Sequence, residues 1–432
     1  MDVHRMKIVY ILVVIVAYFA NRWYRTPNIP EHLLNHPATF VPNLIEEDAA
    51  KELLELVKGM HEFPTNLNDL NFYDTVYEHI GEAQKIESDG KCADPFLVPN
   101  KDGSLCILPG RIDVAKHFMK YGGVEGKKEK FEVAASRLLS FGRYIFDLTS
   151  YPIVEKLFAS EKFLHGAKST CPPHKQILDP FQFNFIIQVP GQSVALHLDA
   201  VYFLHATRFE YPMWLLSVMA HSGLYKEEFI DQVQVVGYVH KWEDSRRGGK
   251  FVYYLNNSIN AYQEEPLPRA GSFVDGSKII HAATIYYPDL KPPIMDKSAE
   301  NKLVYQGQDK WTVTSNGKTL KTFKTDDLRI TIVYRARCFE SEEKKAQFSR
   351  IRETKEDIRP VDEILEDLKK DLHETRGYSM EKLNAFSRYD LGMILLDEYI
   401  KYPLPPHGLI PVNYCLADRF YPWLKPILDR IC

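Results

Sequence analysis

The chain has 432 residues, 45% of them hydrophobic and 26% charged, with 54 Lys and Arg against 58 Asp and Glu for a net charge of −4. That length and apolar content supply a large core, in one elaborated domain or two. The near-neutral balance argues against a nucleic-acid partner, because a phosphate-binding surface needs an excess of basic residues.

In chain order, the first feature is apolar. Ile8 to Ala20 is unbroken, with Arg5 and Lys7 before it and Arg22 and Arg25 after it. Helix of that length reaches about 20 Å, short of the ~30 Å hydrocarbon core, and the interfacial residues Trp23 and Tyr24 narrow the gap. Residues 1–25 therefore read as an uncleaved signal anchor, with a cleaved signal peptide or a buried helix as alternatives. Cleavage positions are poorly served, since Ala20 has Tyr18 two before it. The anchor predicts a membrane-tethered body in the lumen of the endoplasmic reticulum or Golgi, and cleavage predicts secretion. Six cysteines could pair in such a compartment, and their spacing leaves the connectivity open. Asn256-Asn257-Ser258 is a glycosylation acceptor.

Residues 26–179 read as a helical N-terminal region after a Pro-containing linker. "IEEDAAKELLELVKGM" has helical apolar spacing, and so does much of 127–165. From Phe181 the pattern changes to short aromatic and β-branched runs: "FQFNFIIQVP", "VQVVGYVHKW", "GKFVYYLN", "GSFVDGSKII" and "RITIVYRARCF". One helix, "PMWLLSVMAHSG", interrupts them. Such strands predict an antiparallel sandwich or barrel over 180–340. Residues 285–326 read as an insertion built on a hairpin, with Asn316-Gly317 at its turn. Residues 341–432 read as a charged helical appendage, docked on the body by Trp423 and Leu424. Its charge runs read as solvated helix faces.

The chemistry gathers at "HLD". His197-Leu198-Asp199 is a pattern that chance also produces. Here it closes a strand, so that alternation turns His197 and Asp199 to one side. A third residue, His281, ends the run "GSFVDGSKIIH". Two imidazoles and a carboxylate with open positions suit Fe(II) and oxygen chemistry. In "RITIVYRAR", Arg329, Thr331, Val333, Arg335 and Arg337 share one face, while Ile330, Ile332 and Tyr334 share the other. Arginines on a core strand need acidic partners, and a dicarboxylate ligand would be one. His205, His221 and His240 read as structural histidines, Asp275 as a turn cap, and Trp214 as core. Arg208 reads as a side chain that could line a substrate pocket.

Over residues 180–340 the order of these motifs resembles the Fe(II)- and 2-oxoglutarate-dependent dioxygenases. "VPGQSVALHLD" is similar to their entry into the metal-binding tripeptide. "GGKFVYYL" resembles their Gly-Gly middle strand, and "RIT" resembles their Arg-x-Ser/Thr cosubstrate anchor. Arg329 and Arg335 stand six apart, as in the Arg-x5-Arg of the dealkylating branch. There are departures. Arg329 follows His281 by 48 residues, a wider gap than in many members, which the insertion accounts for. Gln188 stands where the dealkylating branch often has a tyrosine.

The resemblance implies a mainly β core, a double-stranded β-helix or jelly roll, with helical N- and C-terminal additions (α+β overall). It implies His197, Asp199 and His281 as Fe(II) ligands. It implies Arg329 and Thr331 at the far carboxylate of 2-oxoglutarate, with Gln188 as a further contact and Arg335 contacting Asp199 or the cosubstrate, or simply paired with an acidic side chain. The expected activity is hydroxylation of an unidentified substrate by O2 with 2-oxoglutarate as cosubstrate. Two alternatives stay open: a catalytically inactive jelly-roll binding or scaffold protein in the secretory pathway, and a non-oxidative metal enzyme on the same barrel.

Overall fold

The computed structural model describes residues 16, 18–65, 85–88, 92–94, 96–100, 104–296, 299–408 and 410–432. Most of the apolar run Ile8–Ala20 lies outside these residues. No helix among the described residues is long and apolar enough to cross a membrane.

The strands are β1 (Ala38–Val41), β2 (Glu62–Pro64), β3 (Val98–Pro99), β4 (Cys106–Ile107), β5 (Phe141–Ile145), β6 (Ile177–Gln188), β7 (Val194–His197) and β8 (Gln232–Tyr238). They continue with β9 (Phe251–Tyr253), β10 (Tyr262–Glu264), β11 (Gly271–Val274), β12 (His281–Ala283), β13 (Asn301–Tyr305), β14 (Trp311–Ser315), β15 (Lys318–Phe323) and β16 (Arg329–Phe339). The α-helices are α1 (Glu47–Gly59), α2 (Ile112–Tyr121), α3 (Phe131–Leu138), α4 (Pro152–Phe158), α5 (Glu161–Thr170) and α6 (Met213–Ser222). After the sheets come α7 (Glu342–Thr354), α8 (Val361–Arg376), α9 (Met380–Ala385), α10 (Arg388–Tyr399), α11 (Ala417–Phe420) and α12 (Lys425–Ile431).

Two antiparallel sheets form a jelly-roll-like centre. The larger runs β1-β11-β8-β16-β6-β5, the smaller β10-β9-β12-β7. Period-two alternation decides what each face carries. On the larger sheet Phe183, Phe185, Ile187, Val233, Val235, Ile330, Ile332 and Tyr334 point outward. They share an apolar cluster with Leu53 and Val57 of α1, Val154 of α4 and Phe163 of α5. Gly166 of α5 has no room for a side chain, because a Cβ there would lie 2.4 Å from the Phe273 ring. The smaller sheet turns Leu196, Val252 and Ala282 outward onto Trp214 and Val218 of α6, Leu365 and Leu368 of α8 and Leu395 of α10. The helices after residue 341 thus share a core with the smaller sheet. Between the sheets, Val236, Tyr238, Phe251, Tyr253 and Val333 are in contact.

Four details depart from the sequence reading. The expected helical stretch 127–165 contains β5, which pairs with β6 from Phe141↔Ile187 to Ile145↔Phe183. The open edge of β6 offers "FGRYI" a ladder that its local propensity does not show. "GSFVDGSKIIHAA" is two strands, not one. A turn capped by Asp275, whose carboxylate accepts from the Ser277 N–H at 3.0 Å, carries the chain from β11 in the larger sheet to β12 in the smaller. The insertion forms the sheet β15-β14-β13-β2. Its Leu303, Trp311 and Val313 join the cluster on the outer side of the larger sheet. Its turn is as expected, with Asn316 and Gly317 at φ 47° and 75°, the two positive values of a type I′ hairpin. Finally, Trp423 does not dock the C-terminal segment: it is 71% exposed.

Candidate metal centre

β7 and β12 pair side by side with His281 opposite His197, which sets the two rings 4.3 Å apart between centroids. Each ring is oriented from behind. Nδ1 of His197 donates to the Ala195 carbonyl oxygen and Nδ1 of His281 to that of Ile279, both at 2.8 Å. Carbonyls only accept, so both rings carry the proton on Nδ1 and present the Nε2 lone pair to the space between them. Asp199 follows β7. Its backbone N–H donates to the Gly276 carbonyl oxygen at 2.8 Å, holding the residue against the capped turn. Its Oδ1 lies 3.5 Å from His197 Nε2 and its Oδ2 lies 3.5 Å from His281 Nε2.

The three donor atoms lie within 4.8 Å of one another. An octahedral ion with bonds of ~2.1 Å has neighbouring donors ~3 Å apart, so the observed set needs only a small contraction to hold one. The charges also fit. Burial lowers the pKa of His197 and favours its neutral, ligating form. Burial alone would raise the pKa of Asp199, but the Arg335 guanidinium holds its carboxyl well below the usual range. Asp199 Oδ2 is buried and accepts no hydrogen bond, which leaves its lone pairs for a cation. His197, Asp199 and His281 therefore form a site suited to a divalent metal.

The inner face of the larger sheet continues the site in polar rows. Arg335 stands between Gln182 and Gln234, Val333 between Asn184 and Val236, Thr331 between Ile186 and Tyr238, and Arg329 beside Gln188. Arg335 Nη2 forms an ion pair with Asp199 Oδ1, while its Nε and Nη1 are buried without a partner. Arg337 pairs with Asp179 at 2.7 Å. The acidic partners that these two arginines need are therefore inside the protein.

Arg329 is different. It is 2% exposed, and none of the described carboxylates forms an ion pair with it. Its Nη1 donates to Gln188 Oε1 and Thr331 Oγ1, each at 2.7 Å, and its Nε donates to the Gly249 carbonyl oxygen at 2.9 Å. The Tyr238 ring lies 5.1 Å from the guanidinium carbon. Burial lowers the pKa of Arg329, and no neighbouring carboxylate offsets the effect. The nearby Gln188 Nε2 and Tyr238 hydroxyl are also buried without partners. A buried cation flanked by unsatisfied polar groups is costly unless an anion joins them.

The structure thus brings His197, Asp199, His281, Arg329, Thr331, Gln188 and Arg335 onto facing surfaces of the two sheets. His205, His221 and His240 stay apart. His205 bonds the Asp357 carbonyl, His221 sits in α6 against Tyr402, and His240 stacks on Trp242 at 3.9 Å. Trp214 is core, as expected. Arg208 lies over the Tyr144 ring and donates to Gln182 at 3.4 Å. Three contributors were not recognised. Arg111 of the α2 N-cap holds the Leu198 carbonyl at 2.8 Å and Asp113 at 3.1 Å, yet nothing local in the sequence marks it. Tyr238 and Gln234 had a signal: in "QVQVVGY" they share the polar side of the alternation.

No protein-family model matches this chain, and no curated protein matches it. Solved structures do. A prolyl-4-hydroxylase from Pseudomonas putida aligns at 9% identity and a TM-score of 0.31, covering 70% of this chain and 92% of that one. A prolyl hydroxylase from Trichoplax adhaerens, in complex with a hypoxia inducible factor oxygen degradation domain peptide fragment, aligns at 9% identity and a TM-score of 0.30. That match covers 80% of this chain and 96% of that one. HygX from Streptomyces hygroscopicus, with nickel and 2-oxoglutarate bound, aligns at 8% identity and a TM-score of 0.29, covering 70% and 83%. Values this low place the chain in no family, and the functional assignment rests on the site.

Proposed function

We propose that this chain is an Fe(II)- and 2-oxoglutarate-dependent dioxygenase whose eight central strands form a double-stranded β-helix. The interleaved strand orders β11-β8-β16-β6 and β10-β9-β12-β7 support the fold. The observation that carries the function is Arg329, a buried guanidinium without a carboxylate partner, on the sheet face that also holds the partner of Asp199. A metal-binding barrel of non-oxidative or scaffold type has no use for it.

His197 Nε2, His281 Nε2 and Asp199 would hold the iron. Arg329, Thr331 and Gln188 would hold the far carboxylate of 2-oxoglutarate, with guanidinium supplying charge and hydroxyl and amide supplying direction. Bound together, iron and 2-oxoglutarate supply the oxygen-activating chemistry, with succinate and carbon dioxide as cosubstrate products. The protein's own part is positional. The Ala195 and Ile279 carbonyls fix the imidazole tautomers. Arg335 keeps Asp199 ionised and aims its free oxygen. Buried apolar walls at Val333 and Phe251 exclude water. Gln182, Asn184 and Gln234 line the remaining inner face and are the groups a primary substrate would meet.

The body sits in an oxidising lumen in this reading. Cys92–Cys106, Cys171–Cys338 and Cys415–Cys432 are disulfides, and no described cysteine is free.

Anaerobic addition of Fe(II) and 2-oxoglutarate to the full chain tests the function through the visible charge-transfer band of a chelated keto acid. The band is expected, absent in His197→Ala. In Arg329→Ala, iron is retained and half-saturation by 2-oxoglutarate rises roughly 30-fold or more, as for loss of a buried charged contact worth ~2 kcal/mol. Folded, iron-loaded protein without a band would overturn the assignment.

A further inference from the structure

The C-terminal segment carries a second apolar face on its outside. Trp423, Ile427 and Ile431 follow one another at spacings of four through the 3-10 turn Pro422–Leu424 and α12, so they share one face, and Phe420 stands just ahead of the bend at Tyr421. All four are exposed, as is Tyr421 beside them. The side turned to the body buries Leu428 and is held there by charge pairs. Asp418 and Asp429 both pair with Lys130, at 2.7 and 3.0 Å. Arg419 pairs with Glu132 at 2.9 Å and lies 3.8 Å above the Phe131 ring. Cys415–Cys432 closes the segment end to end. α12 therefore has apolar residues on both sides, Leu428 inward and Ile427 and Ile431 outward, where a surface helix in water keeps its apolar stripe inward only. A contiguous apolar patch held outward marks a contact surface.

The position of the patch says what it contacts. Arg25, the residue that closes the N-terminal apolar and aromatic stretch, is 3% exposed. Its guanidinium donates to the carbonyl oxygens of Pro405, His407 and Gly408, on the chain that leads into this segment. Lys128 is near enough to Arg25 for the two charges to interact, and Lys130, two residues on, is the anchor of Asp418 and Asp429. Arg25 thus ties the root of the apolar run to the chain that leads into the apolar face. Trp23 and Tyr24, at that root, are exposed too. Trp, Tyr and Phe with exposed Lys425 and Arg430 alongside are the residues favoured where acyl chains meet phosphate headgroups.

We propose that residues 420–431 form a second membrane contact, an apolar face that lies in the headgroup region of the phospholipid bilayer entered by the N-terminal run. This rests on the reading of that run as a membrane segment. Two attachments hold the body in one orientation, which a single anchor followed by a linker would not.

The chain carries its own probes. Of its five tryptophans, Trp214, Trp242 and Trp311 are buried, while Trp23 and Trp423 are 81% and 71% exposed. The full chain is reconstituted into phosphatidylcholine bilayers with and without brominated acyl chains, which quench tryptophan on contact. The W423F chain reports Trp23, the W23F chain reports Trp423, and the double variant sets the baseline; both substitutions keep an aromatic ring on the surface. Both single variants are expected to lose emission in brominated lipid, and the double variant is not. Quenching of Trp23 without Trp423 would overturn the proposal while keeping the anchor. Quenching of neither would remove the anchor and the proposal together. Trp423 unquenched in a chain that crosslinks as a dimer would assign the patch to a second copy instead.

Discussion

Arg329 carries the functional assignment, and its surroundings are as specific as its charge. Gly249 has φ +67°, and a Cβ there would lie 2.7 Å from Arg329 Cδ and 2.9 Å from Nε. Only a residue without a side chain fits against that guanidinium. Gly249→Ala is therefore expected to displace the arginine and weaken 2-oxoglutarate binding by about tenfold or more, the ~1–3 kcal/mol of backbone strain and lost contact. Iron binding by His197, Asp199 and His281 is expected to stay intact. Parallel titrations of iron and 2-oxoglutarate check the split, and equal loss of both would mean a general collapse of the sheet. The Asp199–Arg335 pair acts differently. It keeps a buried carboxylate ionised.

The elements show how local chemistry and tertiary context divide the decision. The β14–β15 turn is local, because Asn316 and Gly317 both occupy positive φ and glycine does so without steric cost. Gly317→Ala should cost about 1 kcal/mol, measured as a lower denaturation midpoint at unchanged slope. Nothing lies within 4 Å of the new Cβ, so the cost is conformational rather than a clash. β5 is the opposite case. Its residues follow a helix without interruption, and the edge of β6 makes them a strand. β11 and β12 read as one run, with Asp275 as a turn cap inside it. The turn is a sheet-to-sheet crossing, and it delivers His281 opposite His197.

For the molecule as a whole, buried histidines make acid the sensitive direction. His221 and His240 are 4% and 3% exposed, and burial pushes them down to about 4 and about 3. Unfolded imidazoles titrate near pH ~6.5. Below that value the unfolded chain takes up protons that the folded chain refuses, so stability is complete above pH ~6.5 and falls as pH drops toward 4. Each histidine contributes on the order of 3 kcal/mol to that fall. Urea unfolding between pH 7.5 and 5 checks this. His240→Gln is expected to flatten the pH dependence, and an unchanged slope would place the proton uptake elsewhere.

Much of the site was legible because its chemistry is written in adjacent residues. His-x-Asp at a strand end, an apolar-polar alternation that turns Arg329, Thr331 and Arg335 one way, and Gln188 at the end of "FQFNFIIQ" all follow from a period of two, which the backbone imposes on any strand. What the tertiary structure decided was pairing between distant elements. Strand register set His281 against His197 across 84 residues. That no described carboxylate pairs with Arg329 could be seen only from its neighbours in the folded chain. Trp423 was read as an inward anchor because an aromatic in a helical tail ordinarily buries. Lys130 and Glu132, almost 300 residues earlier, take the charged face instead and turn the aromatic one outward. Periodicity tells which residues share a face. Which way that face points depends on partners far away in the chain, and those are chosen by packing and charge in the folded molecule.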